Sequence, residues 1–214
     1  MKWYAVAVLA LALASTSGCL SKPALVPQLF SIDPPLERKT SPQAGARVIC
    51  LRSVEVAQQF DHTDLLYRTA EHRLESDPRA RLAAPPGAML TDSIRAYLRN
   101  ASFVRDVVSP GEDAPADLFV EARATELSAD LTAPSDAAGL VTLEFFVSPA
   151  RGSTTADSVF RKQYARRARL SRRTPRALVD AWNVEVGDIM HEFLRDLEAF
   201  LAGAPGLARR PTGE

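Results

Sequence analysis

Apolar and polar residues alternate along several short stretches of this chain and recur at helical spacing along two others. Leu29-Phe-Ser-Ile-Asp33 alternates and reads as a short first strand. Val48 to Val56 is a stronger strand and Leu65 to Ala70 another, reached through Phe60-Asp-His-Thr-Asp64. Pro85-Pro86 precedes a helix whose apolar positions Met89, Leu90, Ile94, Tyr97 and Leu98 recur at helical spacing, with its end near Asn100. Phe103 to Val108 reads as a short strand and Pro110-Gly-Glu-Asp-Ala-Pro115 as a turn. Leu118 to Leu127, Leu140 to Val147 and Val159 to Leu170 form a group of strands whose spacing predicts an antiparallel meander. The last element carries the strongest signal. Thr174 suits a cap, Pro175 the first helical position and Gly203 the stop. Between them Leu178, Trp182, Val186, Ile189, Met190, Phe193, Leu194, Leu197, Phe200 and Leu201 make a continuous apolar stripe, expected to pack on one face of the sheet.

The two ends of the chain fall outside this pattern. Lys2 is followed by the uncharged apolar run Trp3 to Ala14, too short to span a ~30 Å hydrocarbon core as a helix. A positive charge, a short apolar stretch and then small residues, Ala14-Ser-Thr-Ser-Gly18, read as a secretory signal peptide over 1–18. The next residue is Cys19, and the arrangement resembles a bacterial lipobox, with Thr16 where leucine is usual. Cys19 is therefore the candidate lipidation site, its thiol carrying the diacylglycerol. An ordinary cleaved leader with Cys19 incidental is the alternative. Leu20 follows the cysteine, and the lack of an aspartate there favours the outer membrane. Residues 19–45, punctuated by Pro23, Pro27, Pro34, Pro35 and Pro42, read as a semi-extended membrane tether. The folded domain is expected over 46–203, and 204–214 reads as a disordered tail.

Composition narrows the function. The 214 residues carry 26 basic and 26 acidic groups, which argues against a surface built to neutralise nucleic-acid phosphates. With Cys19 acylated, Cys50 has no partner and reads as a buried structural thiol in an apolar strand. The neutrality is not uniform. Residues 111–150 hold one basic and eight acidic groups, net −7, whereas 151–176 hold nine basic and one acidic, net +8. Arg161, Lys162, Arg166, Arg167 and Arg169, with Arg172 and Arg173, form a candidate patch for an anionic partner or lipid headgroups. The competing reading pairs this basic strand with acids of neighbouring strands, for instance Glu121, Glu126 and Glu144.

Catalytic and cofactor motifs are missing from the pattern: there is no nucleophile elbow, phosphate-binding loop or dinucleotide fingerprint, so no cofactor is expected. His62, His72 and His191 are scattered, and His191-Glu192 is not part of a zinc-protease motif because Arg195 stands at the second histidine position. Asp61 and Asp64 flank His62 in a triad-like composition, though loop aspartates more often make turns. No metal site and no catalytic residue are assigned.

The order of these features resembles the ABC-type transport auxiliary lipoproteins, the PqiC/YmbA-like family. The resemblance is carried by Leu29-Phe-Ser-Ile-Asp-Pro34, Val48-Ile-Cys-Leu-Arg-Ser-Val54 and Asp64-Leu-Leu-Tyr-Arg68. It continues through Arg81-Leu-Ala-Ala-Pro-Pro-Gly-Ala-Met-Leu90, with Leu82 where the family has tryptophan, and Arg176-Ala-Leu-Val-Asp-Ala-Trp-Asn183. It implies an α/β domain with a mixed, partly antiparallel sheet and packed helices, including the long C-terminal one. It also implies a role without chemistry, as a lipid-anchored, periplasm-facing accessory to an MCE-type ABC system that moves phospholipid or other hydrophobic molecules. The implied partners are an MCE-domain protein and the membrane, with a homo-oligomer possible and no nucleic acid. A structural envelope lipoprotein and a periplasmic hydrolase with an unrecognised site are the competing functions.

Overall fold

The computed structural model describes residues 26–36, 47–112, 115–133, 135–150 and 159–203. Long strand β7 (Leu118–Asp130) organises the sheet, because three different strands share one of its edges. Along that edge lie, in turn, β2 (Arg47–Leu51), β3 (Glu55–Val56) and β4 (Asp64–Ala70), all parallel to β7. Beyond β2 lies β6 (Val104–Val108), also parallel. Beyond β4 lie the antiparallel β5 (Arg73–Leu82) and then β1 (Gln28–Phe30), parallel to β5. The opposite edge of β7 pairs along its whole length with β8 (Ala138–Pro149), which pairs with β9 (Phe160–Arg169). The fold is thus a mixed α/β sheet, and β7-β8-β9 is the antiparallel meander that the spacing predicts.

Two helices, α1 (Pro86–Arg99) and α2 (Pro175–Gly203), lie side by side on the sheet, Tyr97 of α1 meeting His191 of α2 edge to face at 5.3 Å. Strand periodicity explains the core. Val120, Ala122 and Ala124 on β7, with Val141, Leu143, Phe145 and Val147 on β8, alternate with half-buried or exposed residues and are all buried. Against them α2 presents Leu178, Trp182, Val186, Ile189, Phe193 and Leu197. Phe193 stacks on Phe145 with ring centroids 4.0 Å apart and meets Phe160 and Tyr164 edge to face. Thr174 caps the helix, its Oγ1 accepting from the Ala177 N–H at 3.3 Å.

Three details depart from the sequence expectation. The strand expected over Val48 to Val56 is broken at Arg52-Ser53-Val54, where the chain turns to α1 and the Val54 N–H donates to Thr91 Oγ1 at 2.9 Å. Gly87 permits this approach, since a Cβ there would lie 2.9 Å from the Val54 carbonyl oxygen. The second is β5: its polar stretch Arg73 to Arg79 shows no burial period because both of its faces are largely exposed, and pairing with β4 makes it a strand.

The third concerns the tether. Within 19–45, residues 28–36 are part of the folded domain. Beyond β1, Ser31 to Leu36 forms a strap across the helices, held by the buried Ile32 side chain and through its backbone. Asn183 of α2 accepts from the Asp33 N–H at 2.7 Å and donates to the Ser31 carbonyl at 3.2 Å. The Tyr97 hydroxyl donates to the Pro35 carbonyl at 2.6 Å. These hydrogen bonds make the strap a fixed element of the domain.

Candidate functional site

Cys19 and the leader before it lie outside the described residues. The basic strand can be followed in full. β9 is the terminal strand of its branch of the sheet, and its register with β8 sends its cations to two different faces. Lys162 stands opposite Phe145 and Arg166 opposite Val141, on the side covered by α2. Lys162 accordingly reaches Asp196 at 2.7 Å and Glu192 at 3.4 Å, and Arg166 pairs with Glu192 and lies 3.8 Å from Glu185. Arg161 and Arg167 project from the other side. Arg161 binds Glu144 at 2.8 Å and lies over the Phe146 ring at 4.9 Å, while Arg167 binds Asp136 at 2.9 Å. Arg169 donates to the Ser135 carbonyl at 2.9 Å, and Arg173 to the Ala133 carbonyl at 2.8 Å.

All five cations of the candidate patch therefore have partners inside the domain. The acids differ in part from those expected. Glu144 pairs with the basic strand, but Glu121 pairs with Arg52 and Glu126 with Arg68. The reason is spacing: along most of its length β7 is separated from β9 by β8, about 10 Å away at two strand intervals, and its own neighbours on the far edge supply nearer arginines; only at its end does Asp130 come within 3.6 Å of Arg167. The partners the sequence reading missed are Glu185, Glu192 and Asp196 on α2. Their signal was present in the polar positions that accompany the helix stripe.

The electrostatics of this ladder follow from its hydrogen bonds. Arg166 beside Glu192 holds that carboxyl below its usual value, with Lys162 adding to the effect. Burial works to raise the Asp196 carboxyl, but hydrogen bonds from Lys162 and Tyr164 outweigh it and leave the group lowered. Tyr164 is raised by burial and by its 2.8 Å hydrogen bond to Asp196. Glu185 moves the opposite way, raised by burial and by nearby Asp188. These groups tie α2 to β9.

The remaining candidates do not assemble either. His62 Nε2 lies 3.0 Å from the Gln59 carbonyl oxygen, and Asp64 pairs with Arg81 at 2.9 Å. His72 sits at the exposed β4–β5 turn, and His191 packs against Tyr97. Among the described residues no three His, Cys, Asp or Glu side chains are grouped to hold a metal ion. Cys50 is 5 % exposed, packed with Val48 and Val108, and burial raises its thiol pKa, the setting of a structural cysteine.

The described surface also carries shallow grooves. One, about 460 Å³, runs between the strap and α1 and is lined by Asp33, Pro34, Asp92, Ser93 and Tyr97. Another, about 350 Å³, lies beside Cys50, Arg52 and Phe119.

Comparison with known proteins agrees with this architecture. A family model described as the ABC-type transport auxiliary lipoprotein component matches residues 30–191. None of the curated proteins matches the chain. The crystal structure of a Xanthomonas campestris protein of the family called DUF330 superposes with a TM-score of 0.68 at 14% identity, covering 82% of this chain and 97% of that one. The crystal structure of an uncharacterized protein superposes with a TM-score of 0.62 at 10% identity, covering 80% and 99% respectively. At such identities the superpositions speak for the fold. The family match speaks for more.

Proposed function

Because this chain belongs to the ABC-type transport auxiliary lipoprotein components, we propose that it is an accessory lipoprotein of an MCE-type ABC system moving phospholipid or other hydrophobic molecules across the envelope. In this reading an acylated Cys19 holds it on the periplasmic side of a bacterial membrane, the outer one. The family match across the folded domain is the observation that carries the proposal. The chemistry of the domain supports it. The ladder from Lys162 to Asp196 spends its charged groups on tying β9 to α2, a structural use consistent with an accessory role. No described helix is long and apolar enough to cross a membrane. In this reading attachment is the work of the acyl chains on Cys19, at ~0.8 kcal/mol per buried CH₂.

The test is recovery of the native complex. Extraction of membranes in mild detergent and purification on this protein should bring down an MCE-domain protein together with the permease and ATPase. Repeated isolation without them, and genes for such components absent from its neighbourhood, would count for a structural envelope lipoprotein instead. Cys19→Ser should move the protein from the membrane to the soluble fraction.

A further inference from the structure

The cations that the carboxylate ladder of β9 leaves over gather at one end of the domain. The end of β7, the start of β8 and the end of β9 lie level there, Asp130 opposite Ala138 and Ala138 opposite Arg169. The chain then passes from Leu170 into α2 through Ser171 to Thr174. Arg169, Arg172, Arg173 and Arg176 lie on this short stretch, and all are exposed. Arg169 donates to the Ser135 carbonyl at 2.9 Å, and Arg173 to the carbonyls of Leu131 at 3.3 Å and Ala133 at 2.8 Å. Carbonyls fix these two guanidiniums against the β7–β8 loop without cancelling their charge. Among the described residues Arg172 has no partner, and Arg176 has only Asp180, 3.7 Å away in a pair exposed at both ends. Such a pair contributes little. The acids at this end, Asp130 and Asp136, are taken by Arg167 at 3.6 and 2.9 Å.

Helix physics argues against placing arginines here for stability. A helix N-terminus carries partial positive charge, so acids strengthen its first turn and cations weaken it. α2 runs for 29 residues and has no acid in its first turn. It instead has Arg172 and Arg173 just ahead of its Thr174 cap and Arg176 just inside it. Neither Arg172 nor Arg176 holds another element in place. An anion lying among these groups would turn the repulsion into attraction.

We propose that Arg169, Arg172, Arg173 and Arg176 form a contact surface for the phosphate groups of anionic phospholipid. The guanidinium fork matches phosphate oxygens bidentately, and two of the four forks are held in place before the ligand arrives. A protein partner would call for an apolar centre. None of the large exposed hydrophobics Val26, Leu29, Leu74, Val159 and Val184 lies on residues 169–176 or in the described part of the β7–β8 loop. An acylated Cys19 would hold Gln28, nine residues on, within about 32 Å of the bilayer at ~3.3–3.6 Å per residue. The choice of lipid as the source of phosphate rests on that anchoring; the patch itself does not.

Vesicle co-sedimentation tests the surface apart from the anchor. The full mature chain carrying Cys19→Ser, in which acyl chains contribute nothing, would be mixed at low salt with phosphatidylcholine vesicles with and without phosphatidylglycerol. Arg172→Gln/Arg176→Gln removes the two cations that hold no other element. Arg123→Gln/Arg195→Gln, also at exposed positions, removes the same charge elsewhere. At about fivefold per arginine near an anionic surface, the first variant should bind phosphatidylglycerol vesicles roughly 25-fold more weakly. The second should bind like the parent. Equal losses in the two variants would reduce the effect to net charge and overturn the surface, as would a parent indifferent to phosphatidylglycerol. Binding to polyglutamate with the same arginine dependence, and none to phosphatidylglycerol, would make this end a site for an acidic protein instead. Mass spectrometry of the native mature N-terminus reads the anchor separately: an unmodified Cys19 beside intact vesicle binding overturns the anchor and leaves the surface standing.

Discussion

Phe193→Ala should be the most damaging truncation on α2, and the reason can be followed atom group by atom group. Phe193 is fully buried, stacked on Phe145 at 4.0 Å and edge-on to both Phe160 and Tyr164. Its ring thus joins two strands to the helix. Removal takes away the transfer free energy of a whole aromatic side chain and leaves a cavity between rigid rings that cannot all collapse into it, about 3–5 kcal/mol in comparable cores. Phe193→Leu keeps most of the apolar volume and loses the aromatic geometry, about 0.5–1.5 kcal/mol beyond the area term. Urea unfolding followed by the fluorescence of Trp182, one helical segment away, measures both. At about 2–4 °C per kcal/mol for a domain of this size, the alanine variant should melt roughly 6–20 °C lower. A loss under about 1 kcal/mol for Phe193→Ala, or equal losses for alanine and leucine, would refute the claim that this ring is the joint between helix and meander.

The other two predictions concern polar contacts. Glu192 and Asp196 titrate below their usual range in the fold. The stability they contribute is therefore complete above the ordinary carboxylate pKa of about 4 and is lost as pH falls through their lowered folded values. Glu185, raised, offsets part of this loss. Denaturation at neutral and acid pH should show acid weakening that flattens in Lys162→Met/Arg166→Met; an unchanged slope in that variant would place the acid sensitivity elsewhere. Asn183→Ala should free the strap, since it removes one acceptor and one donor from the Ser31–Asp33 backbone, each worth about 0.5–1.5 kcal/mol. Hydrogen exchange should rise at residues 31–36 and stay unchanged in β7 and β8, whereas a uniform rise would make Asn183 a global stability residue.

What could be read ahead of the structure depended on whether one chain segment carried its own signal. The stripe on α2 and the alternation in β7 and β8 are imposed by burial on a single face, so each strand announces its own period. β5 announces nothing, because neither of its faces is covered for most of its length and its only requirement is the backbone of β4. The strap was legible only in part. The buried Ile32 gives the alternation seen from Leu29 to Asp33, but the hydrogen bonds use backbone carbonyls and amides, which any residue supplies, and their partners sit far along the chain at Tyr97 and Asn183. The acids that pair with β9 were half legible: the block charges showed that compensation was needed, but the choice of partner is a matter of register, which separates β9 from β7 by one intervening strand.

That register also gives the basic strand a physical role that a charge count cannot supply. β9 ends its branch of the sheet, so one side of its backbone pairs with β8 and the other has no described partner strand. Unpaired edges invite pairing with other chains, and charged side chains along them are a common means of preventing it. In β9 four of the cations do this while being neutralised by local acids: Lys162 and Arg166 by α2, Arg161 by β8, Arg167 by Asp136 in the loop after β7 and by Asp130 at the end of β7. The field of the block largely cancels within the domain, and what remains at the edge is bulk, fixed rotamers and a covering helix. An anionic partner would have to compete with each of these pairs. The β1 end is built in the opposite way, with a three-residue strand beside a ten-residue one, internally balanced charge and exposed leucines.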